Sequence, residues 1–526
     1  MKHFFKNTMI LTLTTQLLSL IGVFFIAWLS RAIGSEGIGL YQLISSVYIL
    51  AGTLASSGVG VTVSRLIAES VAKSNGRSTS DVLRKAVVIS AVMGLAVGVT
   101  LWLLADVIGV SLLGDRRTVM SVRVLAPALP FMALSSCLRG YFIGMRRVLK
   151  PSAQMIFEQL VRIGIAMLIL QLFLPRGLEY ACLAVVLACV ASEAASCLFA
   201  LAMYAAERRH ALTVVPEKGV ASKIVRISLP IAASSGLRSA LRTAENILIP
   251  QGIQRHGESH AGALSQFGQL GMAMPVLFFP SGLLVAVGTM LLPEVAHAQA
   301  VGNTERIKAI FARVFQMTVI MALLFCAIFL AFAIDFGQLI YKSDAIGRLL
   351  TALAPLTPLI YLDFVVDSMM NGLGQQMRTL RINLLDYVIR VGLVVALIPR
   401  FGLTSYLLIL YISATLNATL SLRRLLIVSH ATIKIAEWII KPVISAAASG
   451  LLVSLVFRLL PLAEPNAWVL TAKIALLAVL YIVLLFALGC LRQGDARWLK
   501  SLVKSAGRTA EKTGVNVPGI AGSPQI

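Results

Sequence analysis

Residues Leu125–Gly164 recur as Leu353–Gly392 at a constant offset of 228 positions (353 minus 125), an echo that restricts the chain to an architecture assembled from two copies of one unit. Without a gap, the offset superimposes Pro127 on Pro355, Pro130 on Pro358, Gly144 on Gly372, Glu158 on Asp386, Arg162 on Arg390 and Gly164 on Gly392. Two such units joined in one apolar polypeptide are the signature of a transporter whose substrate path runs between the halves.

Hydrophobic residues fill 58% of the 526 positions and charged residues only 13%, too little polar surface for a soluble globule of this size. The bilayer must be the solvent. About fourteen stretches are long and apolar enough to cross the hydrocarbon, the first beginning near Thr8 and the last near Ala467. The expected fold class is all-α: a polytopic membrane protein of about fourteen transmembrane helices, since helices satisfy their own backbone in lipid. The expected divisions are an N-terminal lobe at 1–215, a C-terminal lobe at 216–430, a helix pair at 431–490 and a basic tail at 491–526. The first stretch runs on to Trp28 without a small-residue cleavage site, so it reads as a span and not as a removable signal.

The net charge of +23 sets the expected orientation. With cytoplasmic termini, the inner loops hold roughly 30 of the 46 Lys and Arg residues, Arg77, Arg147, Arg208 and Arg424 among them, against about 10 in the outer loops. Both termini are therefore expected in the cytoplasm, with the chain crossing the cell membrane many times. The cations are scattered over many loops and form no stripe with interleaved aromatics, which excludes nucleic acid and leaves membrane lipid as the partner. In the tail, Trp498, Leu499, Leu502 and Val503 can share a face opposite Arg497, Lys500, Lys504 and Arg508, as in a helix lying on the inner leaflet. A monomer is expected.

Cysteine and histidine offer no chemistry. Cys137, Cys182, Cys189, Cys197, Cys326 and Cys490 fall in spans without metal-ligand spacing and read as small packing residues. No metal and no cofactor is expected. His256 and His260 flank Glu258 in one outer loop, which reads as a solvated turn.

The informative charges are those inside spans, where each costs roughly 2.5 kcal/mol or more unless it faces protein or water. The seventh span places Arg238 near mid-membrane, Arg242 one turn later on the same face, and Glu245 at i+3 from Arg242. Glu245 can neutralise Arg242, but Arg238 has no sequence-local partner and implies a wet cavity. Guanidinium suits bidentate capture of phosphate, so Arg238 and Arg242, with Arg139 of the fourth span, are the candidate ligands of an anionic substrate. The fifth and eleventh spans carry Glu158/Arg162 and Asp386/Arg390 at i,i+4, read first as ion pairs that orient helices. The tenth span adds Asp363 and Asp367 where the offset gives Ser135 and Arg139 in the fourth, so one half is acidic where the other is basic. Glu245, Asp363, Asp367 and Asp386 are accordingly candidates for a coupling ion, Na+ or H+.

Four segments, in their order across both halves, resemble the bacterial polysaccharide flippases of the multidrug/oligosaccharidyl-lipid/polysaccharide exporter superfamily, and among these the stage V sporulation protein B type. They are Gly34-Ser35-Glu36-Gly37-Ile38-Gly39-Leu40-Tyr41, Gly140-Tyr141-Phe142-Ile143-Gly144, Gln154 with Glu158-Gln159 and Arg162, and Phe279-Pro280-Ser281-Gly282 with Pro293. The resemblance spans essentially the whole chain. It implies two six-helix lobes around a central cavity, a further helix pair, and alternating access that moves a lipid-linked glycan headgroup from the inner to the outer leaflet. It also implies a sodium site of an acid in the seventh span with Asn and Asp in the eleventh, to which Glu245, Asn383 and Asp386 are similar in type. The lipid II flippases of the superfamily carry arginines in the first two spans, and here Leu11–Ser30 and Tyr41–Ser64 contain no charge.

A cation-coupled drug exporter of the same superfamily would display a carboxylate in the first span, and none is present. A membrane glycosyltransferase would need catalytic carboxylates in a sizeable outer loop, whereas the outer loops are short and hold scattered acids such as Glu36, Asp115, Glu179 and Glu258. The expected function is therefore a flippase, not an enzyme, for undecaprenyl-diphosphate-linked glycan, with the drug exporter as the alternative.

Overall fold

A computed structural model describes residues 2–56, 58–72, 76–208, 219–459 and 466–490. The amphipathic tail segment around Trp498 lies outside them. The described residues form seventeen α-helices: α1 (Lys2–Ser56), α2 (Val59–Ala72), α3 (Gly76–Leu103), α4 (Thr118–Leu125), α5 (Ala128–Gly144), α6 (Leu149–Phe173), α7 (Leu178–Arg208), α8 (Val220–Arg255), α9 (His260–Phe278), α10 (Ser281–Ala300), α11 (Thr304–Phe336), α12 (Asp344–Leu353), α13 (Thr357–Gly372), α14 (Gln376–Phe401), α15 (Leu403–Ser429), α16 (Lys441–Leu459) and α17 (Ala467–Ala487).

Ten of these segments are long and apolar enough to span a membrane, eleven when the bent pair α4 and α5 is counted as one crossing. Two features explain most of the difference from fourteen. First, α1 counts once although its 55 residues would make a rod of about 80 Å, far beyond one bilayer. It is two helices that meet at a kink at Gly34, whose φ of 70° lies in the left-handed region that only glycine adopts without strain. Second, α8 carries Lys223, Arg226, Arg238, Arg242 and Glu245, and these dilute its hydropathy.

The repeated prolines mark where each half bends. Between α4 and α5 the axis turns by 43° across Pro127, which cannot donate a backbone hydrogen bond to the preceding turn. In the second half Pro355 lies in a 3-10 turn, Ala354–Leu356, and Pro358 opens α13. The likeness of the halves extends upstream of the sequence repeat: α3 and α11 are each followed by a π-helical turn, Val107–Leu112 and Gly337–Tyr341, before the chain reverses. The break between α9 and α10 is tied down from the other half, where Gln16 donates to the Phe279 carbonyl at 2.9 Å.

At the end of the bundle bearing Gly34, Asp115, His260 and Gly402, one apolar core is shared by both halves, with Leu29, Ile38 and Leu43 packed with Leu264, Leu270 and Leu353. Toward the opposite end the cores are separate. Val63, Ile67, Leu83 and Phe142 of the first half pack with Ile224 at the start of α8, while Leu291, Phe311, Tyr361 and Met369 pack within the second half. The closed end is also stitched by polar contacts: Ser35 to Ser265 at 2.6 Å, Arg31 to the Ile340 carbonyl at 2.9 Å and Gln251 to the Leu112 carbonyl at 2.8 Å. His260 Nε2 lies 2.9 Å from Asp115, which also holds Arg117, and Arg117 reaches Glu36 at 2.9 Å. The pair α16 and α17 docks on α11 through a fourth apolar core and the Lys473–Asp335 ion pair at 2.7 Å.

Candidate substrate and cation site

A cavity of about 710 Å³ borders the shared core, within the range of roughly 300–1,000 Å³ of small-molecule sites. Its first-half wall is the second leg of α1, with Tyr41, Gln42 and Ser45, and its second-half wall carries Arg242, Glu245, Asp363, Asp386, Arg390 and Asn417 from α8, α13, α14 and α15. Residues far apart in sequence converge there because the bent helices bring their mid-membrane turns together.

The eleventh-span pair is closed, with Arg390 Nη2 at 2.6 Å from Asp386. Glu245 sits 3.6 Å from the same guanidinium and accepts a hydrogen bond from Tyr406 at 3.0 Å. Sequence spacing offered Arg242 as the partner of Glu245. In the structure Arg242 is exposed on the cavity wall and forms no ion pair among the described residues, although its charge reaches Glu245. Arg238 is also exposed and has no ion-pair partner among the described residues, and the acid its charge reaches is Asp367. It does not line this cavity.

Asp363 and Asp367 form a second acidic cluster with two amides. Asn417 donates to Asp363 at 3.1 Å and Asn383 donates to Asp367 at 3.2 Å, while Asn417 also donates to the Asn383 side-chain oxygen Oδ1 at 3.3 Å. The second carboxylate oxygen of each acid, Oδ1, is buried without a hydrogen-bond partner among the described residues. Oxygen donors alone, two carboxylates and two amides, suit a small hard cation or a proton. Among the described residues no cluster of three or more His, Cys, Asp or Glu side chains forms a metal site.

The first half repeats the charged geometry. Arg162 bonds Glu158 at 2.7 Å and lies 3.7 Å from Glu193, which accepts from Tyr48 at 2.7 Å. Arg139 is spent on Glu158 at 3.4 Å, so this candidate substrate ligand is part of the same network. Sequence reasoning passed over Tyr48, Tyr406, Ser413 and Asn417. Asn417 had a legible signal, being the only amide in the apolar run Leu403–Ser429. The tyrosines had none, since their partners are 145 and 161 positions away.

A sequence model of the family described as "polysaccharide biosynthesis protein" matches residues 4–291, more than half of the chain. The chain belongs to that family. It is 25% identical to stage V sporulation protein B of Bacillus subtilis (strain 168) over 503 residues, 94% of this chain and 97% of that protein. It is 24% identical to the lipid II flippase MurJ of the same organism over 166 residues, 30% of each chain. Among solved structures, the lipid II flippase MurJ in an inward closed conformation matches with a TM-score of 0.67 at 11% identity, covering 90% of this chain and 97% of that one. A multidrug resistance MATE family transporter of the MOP superfamily, inward-facing, matches with a TM-score of 0.63 at 16% identity, covering 78% and 96%. The likeness to these two structures gives this family member its fold, and the family model with the sporulation-protein relative bears out the resemblance read from the sequence.

Proposed function

We propose that this protein flips a lipid-linked glycan, held by its pyrophosphate, from the inner to the outer leaflet of a bacterial membrane by alternating access. With both termini cytoplasmic, the end bearing Gly34 and His260 is the outer gate, closed here, and the end where the cores separate is the inner mouth. The observation that carries the reading is Arg242: an exposed guanidinium on the wall of a mid-membrane cavity, without an ion-pair partner among the described residues. A charge there is costly unless water or an anion compensates it. Arg238, one turn nearer the inner mouth, offers the first contact and Arg242 the second, both as forks matched to phosphate oxygens.

An outward-moving anion must be followed by a reset, and a cation resets the cycle only by binding the returning state more tightly. Asp363 and Asp367, with Asn383 and Asn417, are the proposed cation ligands, for Na+ or H+, because each acid keeps a buried oxygen without a hydrogen-bond partner among the described residues. A second reading, a cation-coupled drug exporter, is favoured by one observation: three acids, Glu245, Asp363 and Asp386, line the cavity against two arginines, Arg242 and Arg390.

Both readings meet in one vesicle experiment with reconstituted protein. A fluorescent prenyl-diphosphate disaccharide and a cationic dye are offered separately, with and without imposed sodium or proton gradients. Movement of the diphosphate is expected to fall about ten- to a hundredfold in Arg242→Ala, the equivalent of a charged hydrogen bond of ~1.5–3 kcal/mol, with partial recovery in Arg242→Lys. Asp363→Asn is expected to remove the gradient dependence. Export of the dye alone, unaffected by Arg242→Ala, would replace the flippase reading with the exporter.

A further inference from the structure

We infer that Arg390 is a tethered cation that fills the Glu245–Asp386 carboxylate pair and keeps free sodium out of it. The inference deepens the cation-coupled reading above and rests on it only for the cycle, not for the binding claim. A pair of buried carboxylates in the wall of a transporter cavity is an obvious seat for an entering cation, and the family resemblance implied sodium at Glu245, Asn383 and Asp386. The structure puts a guanidinium there instead, 2.6 Å from Asp386 and 3.6 Å from Glu245. Both acids are nearly inaccessible, at 3% and 4% exposure. Tyr406 donates to Glu245 at 3.0 Å and Ser413 to Asp386 at 2.6 Å.

The geometry favours the tethered cation. Arg390 already lies between the two acids, so an entering sodium ion would have to share their oxygens with a guanidinium, and repulsion between the two cations in a buried site opposes its entry. Guanidinium is also more weakly hydrated than a compact ammonium, so it loses less on entering such a site. The Asp363–Asp367 cluster differs in the decisive respect: no arginine or lysine forms an ion pair with it among the described residues, and each acid keeps an oxygen without a partner.

The first half supplies an independent instance. Arg162 stands between its i−4 acid Glu158, at 2.7 Å, and a second glutamate, Glu193, at 3.7 Å, and that glutamate accepts from a tyrosine. The acid and phenol come from different helices in the two halves: Glu193 on α7 with Tyr48 on α1, against Glu245 on α8 with Tyr406 on α15. The second acid and the phenol changed position while the filled geometry persisted, so the recurring feature is the occupied carboxylate pair.

The test counts bound 22Na+ on the full chain in lipid nanodiscs. Arg390→Gln leaves two carboxylates, two hydroxyl oxygens and a neutral amide, and is expected to hold one sodium ion per chain more than the parent. The added Asp386→Asn change should abolish that extra ion, and Arg390→Lys should keep the parent's count. In the otherwise unchanged protein, Asp386→Asn should leave sodium binding unaltered. A monodisperse Arg390→Gln variant with no extra sodium overturns the inference. So does a drop in the parent's sodium on Asp386→Asn, and that measurement stands even if Arg390→Gln does not fold. Because the count requires no transport, absence of flipping by the parent would strike the proposed function and leave this result untouched.

Discussion

Asp115 is only 5% exposed, yet its surroundings favour the charged form. Burial by itself raises its carboxyl, but hydrogen bonds from Arg117 and His260 outweigh burial and hold it below its ordinary value. An acid depressed in this way adds stability to the closed end of the bundle that is complete above the solvated value of about 3.9 and is lost as pH falls through the lowered one. Spin labels at Arg116→Cys and Arg255→Cys should therefore report one short distance from pH 8 to 5, widening below about pH 4. Asp115→Asn should show the wide distance throughout, and an unchanged distance in both cases would remove Asp115 from the gate. Sequence alone read Asp115 as a scattered loop acid and His260 as part of a solvated turn, because 145 positions separate the partners. Glu158 and Arg162, four residues apart, were legible for the opposite reason. Glu245 lay between these cases: a near neighbour, Arg242, was on offer, and the three-dimensional neighbour Arg390 took it.

At the scale of the helix, the repeated glycines divide into two kinds that sequence could not separate. A side chain on Gly144 would come within 2.7 Å of the Ser64 carbonyl oxygen, and one on Gly372 within 3.1 Å of the Leu292 carbonyl oxygen, so α5 meets α2 and α13 meets α10 backbone to backbone. Lipid offers no hydrophobic drive for association, and such close approach supplies the packing that holds these pairs. Gly164 and Gly392, equally conserved between the halves of this chain, face open space. Gly144→Val and Gly372→Val should lower the melting temperature of the detergent-purified protein by several degrees, as overpacking of about 1–3 kcal/mol implies. Gly164→Ala and Gly392→Ala should leave it unchanged or raise it slightly, since alanine favours helix by about 0.5–1 kcal/mol. Equal losses at all four positions would mean that the repeat records ancestry and not contact. Pro127 and Pro355 were more legible, because a missing donor bends any helix whatever surrounds it.

At the scale of the molecule, duplication and hydropathy disclosed two membrane lobes, but not which ends of them touch. That property belongs to side chains spread over both halves. Ile38 and Leu264 join one core while Ile67 and Met369 belong to two others, and nothing in their identities distinguishes them. The asymmetry is the one that alternating access would use: one core shared by both halves closes one end, while toward the other end the first-half core reaches the second half only through the start of α8. The seal must open once per cycle if alternating access is correct, and Ser35 with Ser265, 2.6 Å apart across it, provides the means of testing this. Two cysteines at those positions stand close enough to form a disulfide between α1 and α9. Oxidised Ser35→Cys/Ser265→Cys protein in vesicles is expected to bind the prenyl-diphosphate substrate with parental affinity and to lose its transfer. Reduction should restore the parental rate, and each single variant should be unaffected by oxidant. Transfer at full rate by the cross-linked protein would mean that substrate crosses without opening this seam, and the path would have to be sought along the lipid-facing side of one lobe.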